Sequence, residues 1–533
     1  MKLQPICLIA ALLVVATADD SRADFLIYKI PADGSRMGSG PGGPGGSGGP
    51  GSGPPPGYAA GATPSGYPGM MPGGGQSKPN EPRMILSGRI QSGQGKTVSF
   101  IHPSVRDPLF FDPKDVEIIK APSAQQEYNK RVGQAGKDAD AVMKAALWAL
   151  KKGLLRDFHS GVEKALSIDP QHEPALRVTE LKKKIDEPLP DNPALEQELR
   201  NYARAPGMQV ATSKHFILLH DVAAKPAQGK RKNRAQERLE LLEQTYESFL
   251  FLFCAQDVEL EIPRERLKVI LFKDQKDFQE LSTSLNPALA STSGFWDPVR
   301  NVCVFSDDGT SKTYQALQKL QGDLKKSSDE AKKNRTNPDL VRFLKTIDLL
   351  IEIDRENADV TAVSHDATYQ MAGNTGLLPR HVDIPRWVHE GLATYFEAPG
   401  EAPWAGVGAV SQERLDSYRS LEQDKVHSNI DFIVADQVFD FAKSSGAAPQ
   451  GNGQAWGLTH FLLENHIKEF VAYYRMLGEM PPDVPLNPKL LTELFSRVFG
   501  SDRTALDREW RQHMRSLKTD VERLDENAGK NKT

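Results

Sequence analysis

Residues 361–397 read TAVSHDATYQMAGNTGLLPRHVDIPRWVHEGLATYFE, and the organisation of the rest of the chain follows from this stretch. It reads as two short helices joined by a glycine-containing loop. On the first, Val360, Val363, Ala367 and Met371 make one apolar stripe, which leaves His365 and Tyr369 together on the opposite side, with Asp366 beside them. The second opens with Ile384-Pro385, a favoured first-turn position for proline, and Val388, Leu392, Tyr395 and Phe396 form its stripe. Glu390 lies opposite that stripe. The polar sides of both helices are therefore free to face a cleft.

The motifs in this stretch resemble the gluzincin metallopeptidases, and specifically the secreted bacterial peptidase-MA-like domains. Those pair a H-E-x-x-H-Q helix with a later W-x-x-E-G-x-A-x-Y-F-E helix. The resemblance implies a gluzincin-like α+β fold in which two histidines and the later glutamate bind zinc, while the glutamate of the first motif activates a water. Trp387, Glu390, Gly391, Ala393, Tyr395, Phe396 and Glu397 match the second motif, and His365 and Gln370 match the first. Asp366 stands at the catalytic-base position and Tyr369 at that of the second zinc histidine. The metal set implied is thus His365, Tyr369 and Glu390, with Asp366 as a degenerate base.

Both departures weaken the chemistry. A phenol binds zinc well only as phenolate, and from a pKa near 10 its deprotonation at neutral pH costs about 4 kcal/mol. Structural zinc sites release ~10 to 16 kcal/mol, so zinc stays open as a cofactor. Aspartate retracts its carboxylate by roughly 1.5 Å, and a misplacement of about 1 Å costs on the order of 100-fold in rate. Two readings follow. In the first, a gluzincin-fold protein has lost catalysis and works as a binding or scaffolding module. In the alternative it is an atypical zinc metallopeptidase using His365, Glu390 and a substitute ligand. His381 and His460 are candidates for that ligand; His389, next to Glu390, leaves its helix about 100° away.

With 66 Lys and Arg against 70 Asp and Glu, the net charge of −4 provides no strong field for nucleic acid or anionic lipid, and a peptide or protein partner stays open. Residues 1–23 have the marks of a secretory signal peptide: Lys2, an apolar run, and small residues at Ala16 and Ala18, with cleavage after Ala18 or Ala23. The run is shorter than the ~20 residues needed to span a bilayer, so a secreted or cell-envelope protein without a membrane span is expected. Cys254 and Cys303 then remain, too few for a disulfide framework or a thiolate metal site.

The 533 residues allow about two to four domains, and the pattern implies a multidomain α+β protein. Residues 24–122 read as a small β-rich, barrel-like module, interrupted over 34–82 by a Gly/Pro-rich stretch expected to be disordered. Residues 123–186 are helical, and Trp148, Leu150, Gly153, Phe158, Ala165, Leu166, Pro170 and Ala175 resemble one tetratricopeptide-repeat hairpin. A linker is expected over 187–206. The gluzincin-like α+β unit follows over 207–400, with Asn301 to Phe305 as the candidate edge strand for an extended ligand. Its helical C-terminal part spans 401–518, and a disordered tail is expected from 519 to 533.

Overall fold

The computed structural model describes residues 23–30, 83–91, 97–205, 207–226, 231–307, 312–331, 338–397, 406–482, 484–523 and 526. The expected signal peptide up to residue 22 and the whole Gly/Pro-rich stretch, residues 34–82, lie outside them. The protein is a mixed α+β fold, about 60% helical.

Five strands come first: β1 (Ala23–Lys29), β2 (Arg83–Gln91), β3 (Val98–Ile101), β4 (Leu109–Phe111) and β5 (Val116–Ala121). They form one antiparallel sheet in the order β4-β3-β2-β1-β5, so β4 and β5 are edges and the expected barrel-like closure is absent from this order. Interior strand β1 is apolar on both faces, as a strand covered on two sides must be. Leu26 and Tyr28 pack with Met84, Leu86 and Phe100, while Phe25 and Ile27 pack with Ile85 and Ile119.

Helices α1 (Ala124–Ala135), α2 (Ala139–Lys151), α3 (Leu155–Ile168) and α4 (Glu173–Asp186) fill the expected helical segment. Gly153 turns α2 into α3 at φ +71°, a conformation that glycine adopts without strain. The stretch read as a linker holds α5 (Pro193–Ala203), capped by Asn192. Its Leu195, Leu199 and Ala203, one per turn, bury against the second sheet. An Asn-Pro helix start lay within a segment that its proline and charge content made look like a spacer.

The second sheet contains β6 (Gln209–Thr212), β7 (Phe216–His220), β8 (Leu267–Phe272), β9 (Gly294–Asp297) and β10 (Val302–Ser306), with α6 (Arg234–Ala255) and α7 (Gln275–Leu285) in its connections. The order is β6-β7-β8-β10-β9, with β7, β8 and β10 parallel and the two edges antiparallel. Residues 301–305 are therefore not an edge strand: β10 is interior, and the edge beside it is β9. The unbroken apolar run Val302-Cys303-Val304-Phe305, buried on both faces, is the mark of an interior strand.

Helix α8 (Lys312–Ala331) precedes α9 (Pro338–Asn374), which runs 37 residues without a break where a short helix was expected at its end. Ile347, Leu350 and Ile353 of α9 join Leu317, Leu320 and Leu324 of α8 over the first sheet. Further along α9, Val363, Ala367 and Met371 enter the main core. One helix thus floors both sheets. The hydroxyls of Thr361, Ser364 and Thr368 bond carbonyls one turn back, at 3.1, 2.7 and 2.6 Å, so polar residues inside the molecule are satisfied by α9 itself.

Helix α10 (Arg386–Phe396) leads to α11 (Gln412–Leu421), α12 (Ile430–Val434), α13 (Val438–Ser444), α14 (Ala448–Asn465), α15 (Ile467–Gly478), α16 (Pro488–Phe499) and α17 (Thr504–Ser516). Gly391 lets α10 cross α14 closely: a Cβ there would lie 2.0 Å from Thr459 Oγ1 and 2.8 Å from the carbonyl of Ala455. Trp387, fully buried, stacks on Tyr473 and meets Phe470 and Phe495. The tail expected to be disordered from residue 519 is anchored at its start: Thr519 and Asp520 are buried, Val521 packs against the first sheet, and Arg419 pairs with Glu522 at 3.1 Å.

Candidate functional site

The C-terminal half of α9, helix α10 and edge strand β9 enclose a cleft of about 820 Å³. His365, Asp366, Tyr369 and Glu390 all line it, together with Trp296, His389 and Glu397. Met84 and Ile85 of the first sheet also reach its wall.

Helix α9 is held against the sheet by Gln370, whose side-chain amide donates to the carbonyls of Lys268 at 3.0 Å and Asn301 at 3.3 Å. Asn374 and Asn301 exchange side-chain bonds at 2.8 and 2.9 Å. Gln370, which the sequence marks as part of the motif, is therefore a clamp between helix and sheet.

The polar residues form one chain of bonds. His365 Nδ1 lies 2.7 Å from Glu397 Oε1, its Nε2 lies 3.0 Å from the Tyr369 hydroxyl, and that hydroxyl donates to Glu390 Oε1 at 3.0 Å. The phenol has one proton and spends it on Glu390, so its oxygen accepts from Nε2–H and His365 donates through both nitrogens. His365 is thus an imidazolium. Burial alone would lower its pKa, but the bond to Glu397 and the charges of Glu397, Asp366 and Glu390 raise it to about 9. Arg414 adds a second cation, donating to both oxygens of Glu397 at 3.2 and 3.3 Å. Burial opposes ionisation of Glu397, yet His365 and Arg414 hold its pKa below the usual range. Burial, then Glu390, pushes the Tyr369 phenol well above its ordinary value.

Asp366 differs from its neighbours. It is 7% exposed, and its carboxylate accepts no hydrogen bond among the described residues. Burial raises its pKa to about 7, His365 counteracts, and Glu390 and Glu397 add to the rise. Strand β9 comes close at Gly294, where a Cβ would lie 2.4 Å from Asp366 Oδ2.

These residues do not fit a zinc ion. A metal needs a lone pair from His365, whose two nitrogens are both committed as donors, and a phenolate from Tyr369, whose proton is held more firmly than in water. The phenol oxygen bridges the imidazole and the carboxylate that a metal would otherwise join. Among the described residues no group of three or more His, Cys, Asp or Glu is arranged to hold a metal.

The candidate substitute ligands lie as follows. His381 is exposed and does not line the cleft. His389 does line it, its ring 5.3 Å from that of Tyr369, and burial lowers its pKa to about 4. His460 is buried elsewhere, between α14, α17 and the loop after α10. Asn465 donates to His513 Nδ1 at 3.4 Å, His513 Nε2 to His460 Nδ1 at 3.0 Å, and His460 Nε2 to the carbonyl of Gly408 at 3.3 Å. Only neutral rings complete this chain.

Burial lowers the His460 pKa to about 4, with Glu464 opposing and His513 and Lys151 assisting. The unfolded chain, with histidine near 6.5, therefore takes up this proton first as the pH falls. Stability from this group is complete above pH 6.5 and is lost towards pH 4, on the order of 2 kcal/mol at pH 5. Urea unfolding at pH 7.5 and 5.0 should show a smaller loss for His460→Gln than for the wild type. His389 contributes with the same sign, so part of the loss persists in the variant. Equal losses in both proteins would assign the acid sensitivity to other groups.

Sequence reasoning quoted Glu397 within the motif without giving it a role, and it missed Arg414 and Trp296. Glu397 was accessible to it: seven residues after Glu390, it returns to the same helical face. Arg414 and Trp296 come from elements joined to the site only by tertiary folding.

Residues 359–487 match a family described as protein of unknown function, DUF1570. The match begins within α9 and ends before α16, so it takes in both site helices. No curated protein and no solved structure matches the chain. Among the described residues no helix is long and apolar enough to cross a membrane.

Proposed function

We propose that this chain is an exported, peptidase-MA-like protein of gluzincin type whose cleft binds a peptide or protein without cleaving it. The observation that carries this reading is the Tyr369 hydroxyl, bonded at 3.0 Å to both His365 and Glu390. The groups that would hold a metal in the resembled family here satisfy one another. The cation they surround is part of the protein, the imidazolium of His365, and Glu397 with Arg414 fixes it in place. A positioned side-chain cation keeps the carboxylates together without supplying an activated water.

The edge of β9 and the apolar and aromatic wall of the cleft support binding of an extended segment. The test is incubation of the full chain with an unstructured protein such as reduced casein, with and without added zinc, followed by mass spectrometry. Intact casein in both samples is expected. Zinc-dependent cleavage abolished by Glu390→Gln would overturn the non-catalytic reading.

A further inference from the structure

Five carboxylates line the cleft, those of Asp354, Asp359, Asp366, Glu390 and Glu397. Glu397 is bonded to His365 and Arg414, and Glu390 is bonded to the Tyr369 hydroxyl through one oxygen. Asp359 pairs with Arg234 and Arg238, Asp354 is also partnered, and Arg238 attracts Asp366 through space without a hydrogen bond to it. Asp366, which lines the cleft and is 7% exposed, accepts no hydrogen bond at its carboxylate among the described residues. A carboxylate this buried ordinarily has a partner, because desolvation without one is costly.

The walls indicate what kind of partner is missing. Trp296 and Tyr369 lie with ring centroids 6.5 Å apart and planes 22° from parallel, and both line the cleft beside the carboxylates. Aromatic faces attract an organic cation and contribute little to a hydrated metal ion, whose preferred ligands are charged or carbonyl oxygens.

We propose that the cleft seats one protonated amine of a peptide between Asp366 and Glu390, against the faces of Trp296 and Tyr369. This inference rests on the binding reading above and gives it a ligand class. A lysine side chain and a free peptide amino terminus present the same ammonium group. The charge of an ammonium matches the unbonded carboxylate of Asp366, and its three protons suit acceptors on either side of it. Gly294 brings the edge of β9 against Asp366, so a bound amine lies beside backbone as well as carboxylate.

The test uses three fluorescent heptapeptides of otherwise identical alanine sequence: acetylated with a central lysine, acetylated with a central norleucine, and norleucine-centred with a free amino terminus. Binding to the full chain is read by anisotropy at pH 7.5 in EDTA. At least one amine-bearing probe should bind about tenfold more tightly than the acetylated norleucine probe, equivalent to about 1.4 kcal/mol. Which of the two does so identifies the source of the ammonium. Asp366→Asn should abolish the difference, and Glu390→Gln should reduce it. Should Asp366→Asn fail to fold by circular dichroism, Glu390→Gln alone decides.

Equal binding of the three probes, binding of none, or an undiminished preference in the folded variants would overturn the proposal. So would stoichiometric displacement of the amine probe by zinc or magnesium chloride at micromolar concentration in EDTA-free buffer, which would make the occupant inorganic. Mass spectrometry of the recovered probes separates the two readings: cleavage refutes the non-catalytic function, whereas the cation preference is judged from affinity alone.

Discussion

Tyr369→His is expected to bind zinc about a thousandfold more tightly than the wild type, the factor that corresponds to removing the ~4 kcal/mol of phenol deprotonation. In the wild type the Tyr369 oxygen is bonded to His365 and Glu390, both at 3.0 Å. A neutral imidazole in its place offers a lone pair without that cost and releases Nε2 of His365. Adding Asp366→Glu should change affinity little, because that carboxylate is a base rather than a ligand in the resembled motif, and should matter only for hydrolysis. Calorimetric zinc titration of the wild type, both single variants and the double variant separates the roles. Tight zinc binding by the wild type would refute the reading of Tyr369 as a replacement for the metal.

The second large effect concerns the ions beneath the cleft. Asp359, 7% exposed, pairs with Arg234 and accepts from Arg238 at 2.9 Å, while Arg234 also reaches Asp307 at 2.6 Å. This group joins α6, α9 and the end of β10. Asp359→Asn leaves Arg238, itself 2% exposed, without its carboxylate, and should destabilise the protein by about 3–5 kcal/mol. Arg238→Met should cost less. Asp359 then keeps Arg234, one unpartnered guanidinium nitrogen is removed, and the methionine retains packing over Phe305, whose ring centre lies 4.9 Å from the guanidinium carbon. Chemical denaturation of the two variants ranks them. The reverse order would place the stabilising charge on Arg238.

The contrast between these two sites shows what a sequence exposes. Helix α10 was legible because Val388, Leu392, Tyr395 and Phe396 repeat at helical spacing, and β8 because Leu267 to Phe272 is a bounded apolar run. Strand β6 was not, since its four residues are half-buried or exposed and carry no alternation. Strand β4 is three residues long. The unbroken length of α9 was hidden by a change of surroundings: its first half packs under one sheet and its second under another, so no single stripe runs through it. At the site, the positions of His365, Asp366, Tyr369 and Glu390 followed from motif spacing. That Tyr369 bridges its neighbours did not, because a hydroxyl between a ring nitrogen and a carboxylate depends on where α10 is set against α9. The Asp359 cluster was illegible altogether, as its members come from three elements far apart in sequence.

Helix α9 also has a mechanical role. Thr346, which accepts the amide of Phe110 in β4 at 2.9 Å, lies 19 residues before His365, roughly 28 Å along a stiff rod. His365, Asp366 and Tyr369 ride on that rod, whereas Glu390 is mounted on α10, which α14 and Trp387 hold from behind. Gln370 and Asn374 fix the same end of α9 to the second sheet, so three of the cleft residues are held by one support and the fourth by another. The gap between Asp366 and Glu390 is in this sense a joint between two mountings, and its width is set by how α10 seats against α9.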